Sequence, residues 1–154
     1  MRELYVIDTC VLISFFGDVF THAKGYERSP LLTTRTKGAI SEAVYSRHTR
    51  VRLSIPSVVF VEIYEKWLRS REFCRRFFYE VFAPLRESPN VEIRAIDREV
   101  LGNLLKIGGR LARHDLHDRL VLACAMSLDA PLFTTDEEVT KYVEESGAIP
   151  GVLR

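Results

Sequence analysis

Cysteine, glycine and proline are all scarce in this chain of 154 residues, at three, eight and six copies. So little Gly and Pro excludes a low-complexity chain. Cys10, Cys74 and Cys124 are odd in number, far apart and set in apolar sequence. That pattern excludes a disulfide framework or zinc cluster and predicts small buried side chains in a reducing compartment. Neither sign of charge dominates: 22 Lys and Arg face 21 Asp and Glu, a net charge of +1. Charge alone therefore does not announce a nucleic-acid binder. No apolar stretch approaches the roughly 18–20 residues that span a bilayer. Acids at positions 3 and 8 interrupt any leader-like apolar region. The expected protein is cytoplasmic and makes no membrane contact.

What is present is ordinary globular composition, 47% hydrophobic and 28% charged. The length suffices for one well-buried core and is short for two, so residues 1–154 read as a single domain. Basic residues gather at Arg47, Arg50 and Arg52 and again at Lys66, Arg69, Arg71, Arg75 and Arg76, while 136–145 is mostly acidic. Such runs read first as solvated helix faces. Leu4–Ile7, Val51–Ile55, Val91–Ile96 and Leu132–Thr134 have the lengths and apolar content of strands. Helices are expected over 10–16, 35–48, 57–69, 71–83, 98–112, 116–129 and 137–146. Residues 17–34 read as a long loop with one turn of helix, and 17–50 as an insertion of loop and helix. Strands alternating with helices predict an α/β sandwich with a mainly parallel sheet. In such sheets ligands collect at the carboxyl ends of the strands.

Four acids sit where hydrophobic elements begin, end or are interrupted: Asp8 in YVIDTCVLI, Glu62 in PSVVFVEIYEKW, Asp118 in HDLHDRLVLACA and Asp136 in PLFTTDEEV. A desolvated carboxylate needs a partner or takes up a proton. Each has a local explanation. Asp8 can cap the helix that follows it. Glu62 heads a polar stripe with Glu65, Lys66 and Arg69. Asp115 and Asp118 suit a helix N-terminus, and Thr134 or Thr135 with the following glutamates could form a capping box before Asp136. Two carboxylates on one turn, Asp115 and Asp118, repel unless a cation intervenes.

Taken together, the acids and their surroundings resemble the PIN-domain nucleases, in particular the toxin-type, VapC-like ribonucleases. The similarity runs from residue 3 to about 145. YVIDTCVLI resembles the opening strand with its first acid, and IPSVVFVEIYE the acid set inside an apolar helix after a proline. HDLHDRLVLACA is similar to a His, Asp, Asp-Arg and aliphatic-Ala series, and PLFTTDEEV to a final Leu-x-Thr-x-Asp. Two departures stand out. Residues 17–50 are longer than in compact toxins, and His114 directly precedes Asp115 instead of standing one residue earlier.

The resemblance implies a PIN-like three-layer α/β/α sandwich and a ribonuclease using Mg²⁺ or Mn²⁺, hard cations that favour carboxylate oxygen and water. Asp8 and Asp118 would be the principal ligands, with Glu62 and Asp136 binding directly or through water. Such a metal acidifies bound water and neutralises charge growing on the phosphate. Thr9 and Thr134 would orient carboxylates, Asp115 would be auxiliary, and Arg119 would pair with an acid or touch phosphate. It further implies an RNA substrate, a small antitoxin partner and a homodimer, with helices around 60–82 as the subunit contact. The alternative is an inactive PIN module that binds RNA or a protein partner without cutting. A haloacid-dehalogenase-type phosphoryl-transfer enzyme would need a second Asp two residues after Asp8, where this chain has Cys10.

Elsewhere the sequence offers less. His114-x-x-His117 lacks the Cys/His partners of a zinc site and reads as surface or supporting histidines. Gly108-Gly109 lies in a helical pattern without the spacing of a dinucleotide loop, and there is no P-loop. Trp67, Phe73, Phe77, Phe78, Tyr79 and Phe82 recur at helical spacing, which favours core or subunit contact over a base-stacking platform.

Overall fold

Tyr5, Val6 and Ile7 are at most 9% exposed, as a strand covered on both faces requires. They belong to β1 (Glu3–Ile7) in a computed structural model that describes residues 3–21, 23, 26, 31–111 and 114–154. Helices α1 (Thr9–Phe15), α2 (Gly17–Phe20) and α3 (Thr34–Tyr45) lead to β2 (Val51–Pro56). Next come α4 (Ser57–Trp67), α5 (Arg71–Phe77), a π-helical turn (Phe78–Phe82), α6 (Ala83–Glu87) and β3 (Val91–Arg94). The chain closes with α7 (Arg98–Ile107), α8 (Leu116–Leu128), β4 (Leu132–Phe133), α9 (Glu137–Ser146) and β5 (Val152–Leu153).

All strands pair in parallel, in the order β3-β2-β1-β4-β5. Helices flank the sheet, giving the PIN-like α/β architecture that the acids' surroundings implied. From β1 the chain adds strands first on one side and then on the other. The β1/β4 boundary is therefore a topological switch point, the place where open α/β sheets bind ligands beyond the carboxyl ends of their strands. Asp8 follows β1 there, and Thr134 and Asp136 follow β4. Helix α8, buried from Leu120 through Ala125, contacts β1, β2 and α4 and carries Asp118 to the same edge.

Several boundaries differ from the sequence reading for local reasons. Helix α7 stops at Ile107 because Gly108 takes a positive φ of 58°, which glycine adopts without steric penalty; residue 112 of the expected helix lies outside the described residues. Pro84 does not end the helix begun at Arg71. The wider π turn before it bonds the Ala83 N–H to the Phe78 carbonyl, relieving the register in which a proline ring would clash. The sequence reading missed β5, whose two residues are too short to show a period. Within the segment 17–50, Phe20 is fully buried, with its ring against Trp67, Phe73 and Phe77. All three cysteines are free, as expected, but only Cys124 is fully buried and Cys10 is exposed. Position 10 falls at the start of α1, at the open end of the sheet rather than beneath it. No described helix is long and apolar enough to cross a membrane.

Candidate active site

Helix capping, the local explanation for the acids, is what places them. Asp8 caps α1 with one carboxylate oxygen, Oδ1, which accepts from Val11 N at 2.9 Å. Its other oxygen accepts from Thr134 Oγ1 beyond β4. Asp136 caps α9 in the same divided way. Its Oδ1 accepts from Glu138 N at 2.9 Å and Val139 N at 3.0 Å, while Oδ2 lies 2.7 Å from His114 Nε2. The cap thus fixes each carboxylate by one oxygen and leaves the other pointing away from the helix.

Asp118 stands in the first turn of α8, and Asp115 caps that helix through His117 N at 3.1 Å. The two acids then diverge. Asp115 is exposed and turns to His117 Nδ1 at 2.7 Å, and the hydrogen bonds and charge of His117 hold its carboxyl below the usual range. Asp118 faces inward. Burial, then the charges of Glu62 and Asp136, push it up to about 6. Burial also pushes Asp8 up to about 7, against the hydrogen bonds of Thr134 and Val11 and with help from Asp118 and Asp136. Asp8 and Asp118 thus feel the charges of neighbouring acids as well as burial, and a cation beside them would relieve both.

Glu62 is 5% exposed on α4. Thr9 Oγ1 donates to its Oε2 at 3.0 Å and Lys66 Nζ to its Oε1 at 2.8 Å. Thr134, 1% exposed, donates to Asp8 and accepts from Asp136 N at 3.1 Å, tying the first acid to the last. Arg119 is part-buried on α8; its Nε lacks a hydrogen-bond partner, and it forms no ion pair among the described residues.

Asp8, Glu62, Asp118 and Asp136 therefore occupy one neighbourhood but not one tight shell. The group whose ligand atoms lie within 4.8 Å of one another is His114, Asp118 and Asp136. Asp8 and Glu62 flank it, and Asp115 lies outside. The sequence reading treated His114 as a surface or supporting residue, yet its side chain is 10% exposed and wedged between two acids, with Nδ1 3.2 Å from Glu138 Oε2. The signal for it was weak: a histidine next to Asp115, 22 residues from the carboxylate it meets. Lys66 was also missed, although its i+4 spacing from Glu62 was visible.

This donor set could hold a divalent metal ion. It offers two carboxylates and an imidazole close together, with two more acids behind them and Lys66 as the nearby ammonium. The fold and site together define a PIN-like α/β protein with an acidic cluster at its switch point. No protein-family model and no curated protein matches the chain. Among solved structures it is similar to a chain of VapBC2 from Rickettsia felis bound to a promoter DNA fragment, with TM-score 0.62, 12% identity and 97% of each chain covered. It is similar too to a chain of VapBC-5, a VapBC toxin–antitoxin system of Mycobacterium tuberculosis, with TM-score 0.57, 16% identity and 99% of each covered. A chain of a toxin–antitoxin complex from Klebsiella pneumoniae gives TM-score 0.55 and 15% identity over 97% of this chain and 96% of that one. At these identities the likeness is one of fold.

Proposed function

We propose that the chain is a metal-dependent endoribonuclease acting in the cytoplasm as the toxin of a VapBC-type pair, with residues 1–154 working as one domain. The observation that carries this reading is the gathering of Asp8, Asp118 and Asp136, with Glu62 beside them, beyond the β1/β4 switch point, where burial and neighbouring acids push Asp8 and Asp118 up. The likeness of fold to chains of VapBC complexes supports the toxin assignment. Asp118 and Asp136 would hold Mg²⁺ or Mn²⁺, with His114 beside them and Asp8 and Glu62 bearing on the ion directly or through water. Bound there, the ion would supply an acidified water and neutralise charge at the scissile phosphate.

The chain's own residues do the positioning. Thr134 and Val11 fix the two oxygens of Asp8, Thr9 and Lys66 those of Glu62, and the α9 amides with His114 those of Asp136. Such outer contacts orient ligands and keep them basic. Because Asp8 and Asp118 hold protons more tightly than ordinary carboxyls, an arriving cation would displace them into solvent.

Exposed Val61, Tyr64, Phe78 and Tyr79 lie on the helices proposed for contact with a second copy. A chromatographic mass of one chain at micromolar concentration would argue against that dimer. The decisive test of function is cleavage of a mixed RNA pool with Mg²⁺ or Mn²⁺ and its loss in EDTA. Undiminished cutting in chelator would overturn the metal mechanism. Absence of cutting under any divalent metal would favour a module that binds without hydrolysis.

A further inference from the structure

Both carboxylate oxygens of Glu62 are already engaged within the chain, one by Thr9 and one by Lys66. The lysine is therefore held beside the acid cluster by Glu62. About half of its side chain, 47%, is still exposed.

On its other side Lys66 lines a pocket with Trp67, Arg69, Ser70 and Phe73. Helix α4 ends at Trp67, and the chain turns there into α5, which Ser70 caps. Phe73 is buried and forms the floor. The indole is only partly buried, with Phe20 edge-on at 5.9 Å and the Lys66 ammonium 5.9 Å from its centroid. Arg69 is exposed and donates to the backbone carbonyl of Glu65 at 3.2 Å, and among the described residues it pairs with no acid. An aromatic surface flanked by two cations, one without an acidic partner among the described residues and the other paired with Glu62 of the acid cluster, suits the base and phosphates of a nucleotide.

We propose that this pocket is a nucleotide subsite: Lys66 and Arg69 hold a phosphate next to the scissile one, and the intervening base stacks on Trp67. The proposal rests on the ribonuclease reading above and adds a substrate requirement. The RNA must have an unpaired nucleotide beside the cut, because a base within a duplex cannot reach an aromatic face. Stacking of this kind tolerates any base, so the subsite selects strandedness rather than sequence.

Trp67 is the single tryptophan, so its fluorescence reports the pocket independently of cleavage. The full-length chain is titrated with an eight-nucleotide single-stranded oligouridylate in Ca²⁺, the RNA being checked for intactness on a gel. Saturable quenching is expected, with little from a duplex of equal length. Lys66→Met and Arg69→Met should each weaken binding about tenfold, as should Trp67→Ala followed by the anisotropy of labelled RNA. Trp67→Phe should restore most of the affinity, and a far-ultraviolet circular-dichroism spectrum matching the parent's should confirm that each variant is folded. If the chain cuts RNA in Mg²⁺ while RNA leaves Trp67 unquenched, the subsite is wrong and the nuclease reading stands. Equal quenching by duplex, or quenching only by a protein partner, also overturns the subsite. Neither quenching nor cleavage with any RNA ends both proposals.

Discussion

The two ends of the sheet handle buried polar groups in opposite ways. At the amino end, Ser88 Oγ donates to the Ala43 carbonyl at 2.7 Å and accepts from Asn90 N at 3.3 Å, while Asn90 Nδ2 donates to the Ser46 carbonyl at 2.7 Å. These groups are neutral, and each meets a backbone partner. At the carboxyl end, charged groups face other charged groups, and two acids are driven up to about 7 and about 6. The first arrangement stabilises the fold as it stands, since a satisfied buried hydrogen bond contributes about 1 kcal/mol. The second lowers stability, because like charges are held together and partly desolvated. A cation of the kind proposed would restore the stability that this end of the sheet gives up.

Substitutions at the two ends should therefore differ in kind. Asp118→Asn and Asp8→Asn remove a candidate ligand and should lower kcat/KM for RNA more than about 100-fold, beyond the usual effect of changing an outer partner. Both variants should nonetheless melt no lower than the parent in chelator, since each removes a repelling charge. A large loss of stability would show that these acids hold the fold together rather than bind an ion. Thr9→Val, which releases one oxygen of buried Glu62, should cost about 10–100-fold in kcat/KM. Asp115→Asn should change it less than about tenfold, because Asp115 is exposed and already committed to His117. If Asp115→Asn proved as damaging as Asp118→Asn, the direct ligand would have to be reassigned.

The same contrast explains what could be read from the chain. The sheet was legible because Leu4–Ile7 is a short apolar run closed by Asp8, as burial on both faces requires, and Val51–Ile55 is a strand-length stretch with apolar residues at alternate positions, closed by Pro56. The order of the acids was legible because each stands at an element boundary. Capping seemed to compete with a functional role at Asp8 and Asp136, whereas the structure divides each carboxylate between the two tasks. That division depends on which oxygen points where, and spacing does not encode it. The His114–Asp136 contact and the burial of Phe20 against Phe73 and Phe77 are tertiary, joining residues 22 and more than 50 positions apart. Lys66 was visible as one member of a polar stripe, but its neighbours in the acid cluster were not.

Acidity gives a milder way to set the two ends apart. Asp8 and Asp118 are raised from an ordinary 3.8 to about 7 and about 6, so the folded chain binds their protons more tightly than the unfolded chain. Their stabilising contribution is complete below about pH 4 and is lost as pH rises through 6 and 7. In chelator the melting temperature should therefore fall between pH 5 and 8, and Asp8→Asn should flatten that fall. Millimolar Mn²⁺ should raise the melting temperature, and more so at the higher pH, because a cation binds the ionised form. A metal-free melting temperature that rises across this window, or is unmoved by Mn²⁺, would argue against a coupled acid cluster.

The smallest effect belongs to the amino end. Ser88→Ala removes a hydroxyl that bridges α3 to the loop before β3, leaving the Ala43 carbonyl and the Asn90 N–H without their partner. The cost should be about 1–3 kcal/mol, seen as a lower denaturation midpoint with an unchanged m-value. Cleavage per folded molecule and the dependence of melting on Mn²⁺ should match the parent, because Ser88 contacts none of the acids. A loss of metal response in this variant would mean that strain passes through β2 and β3 from one end of the sheet to the other, and the two ends could no longer be treated as independent.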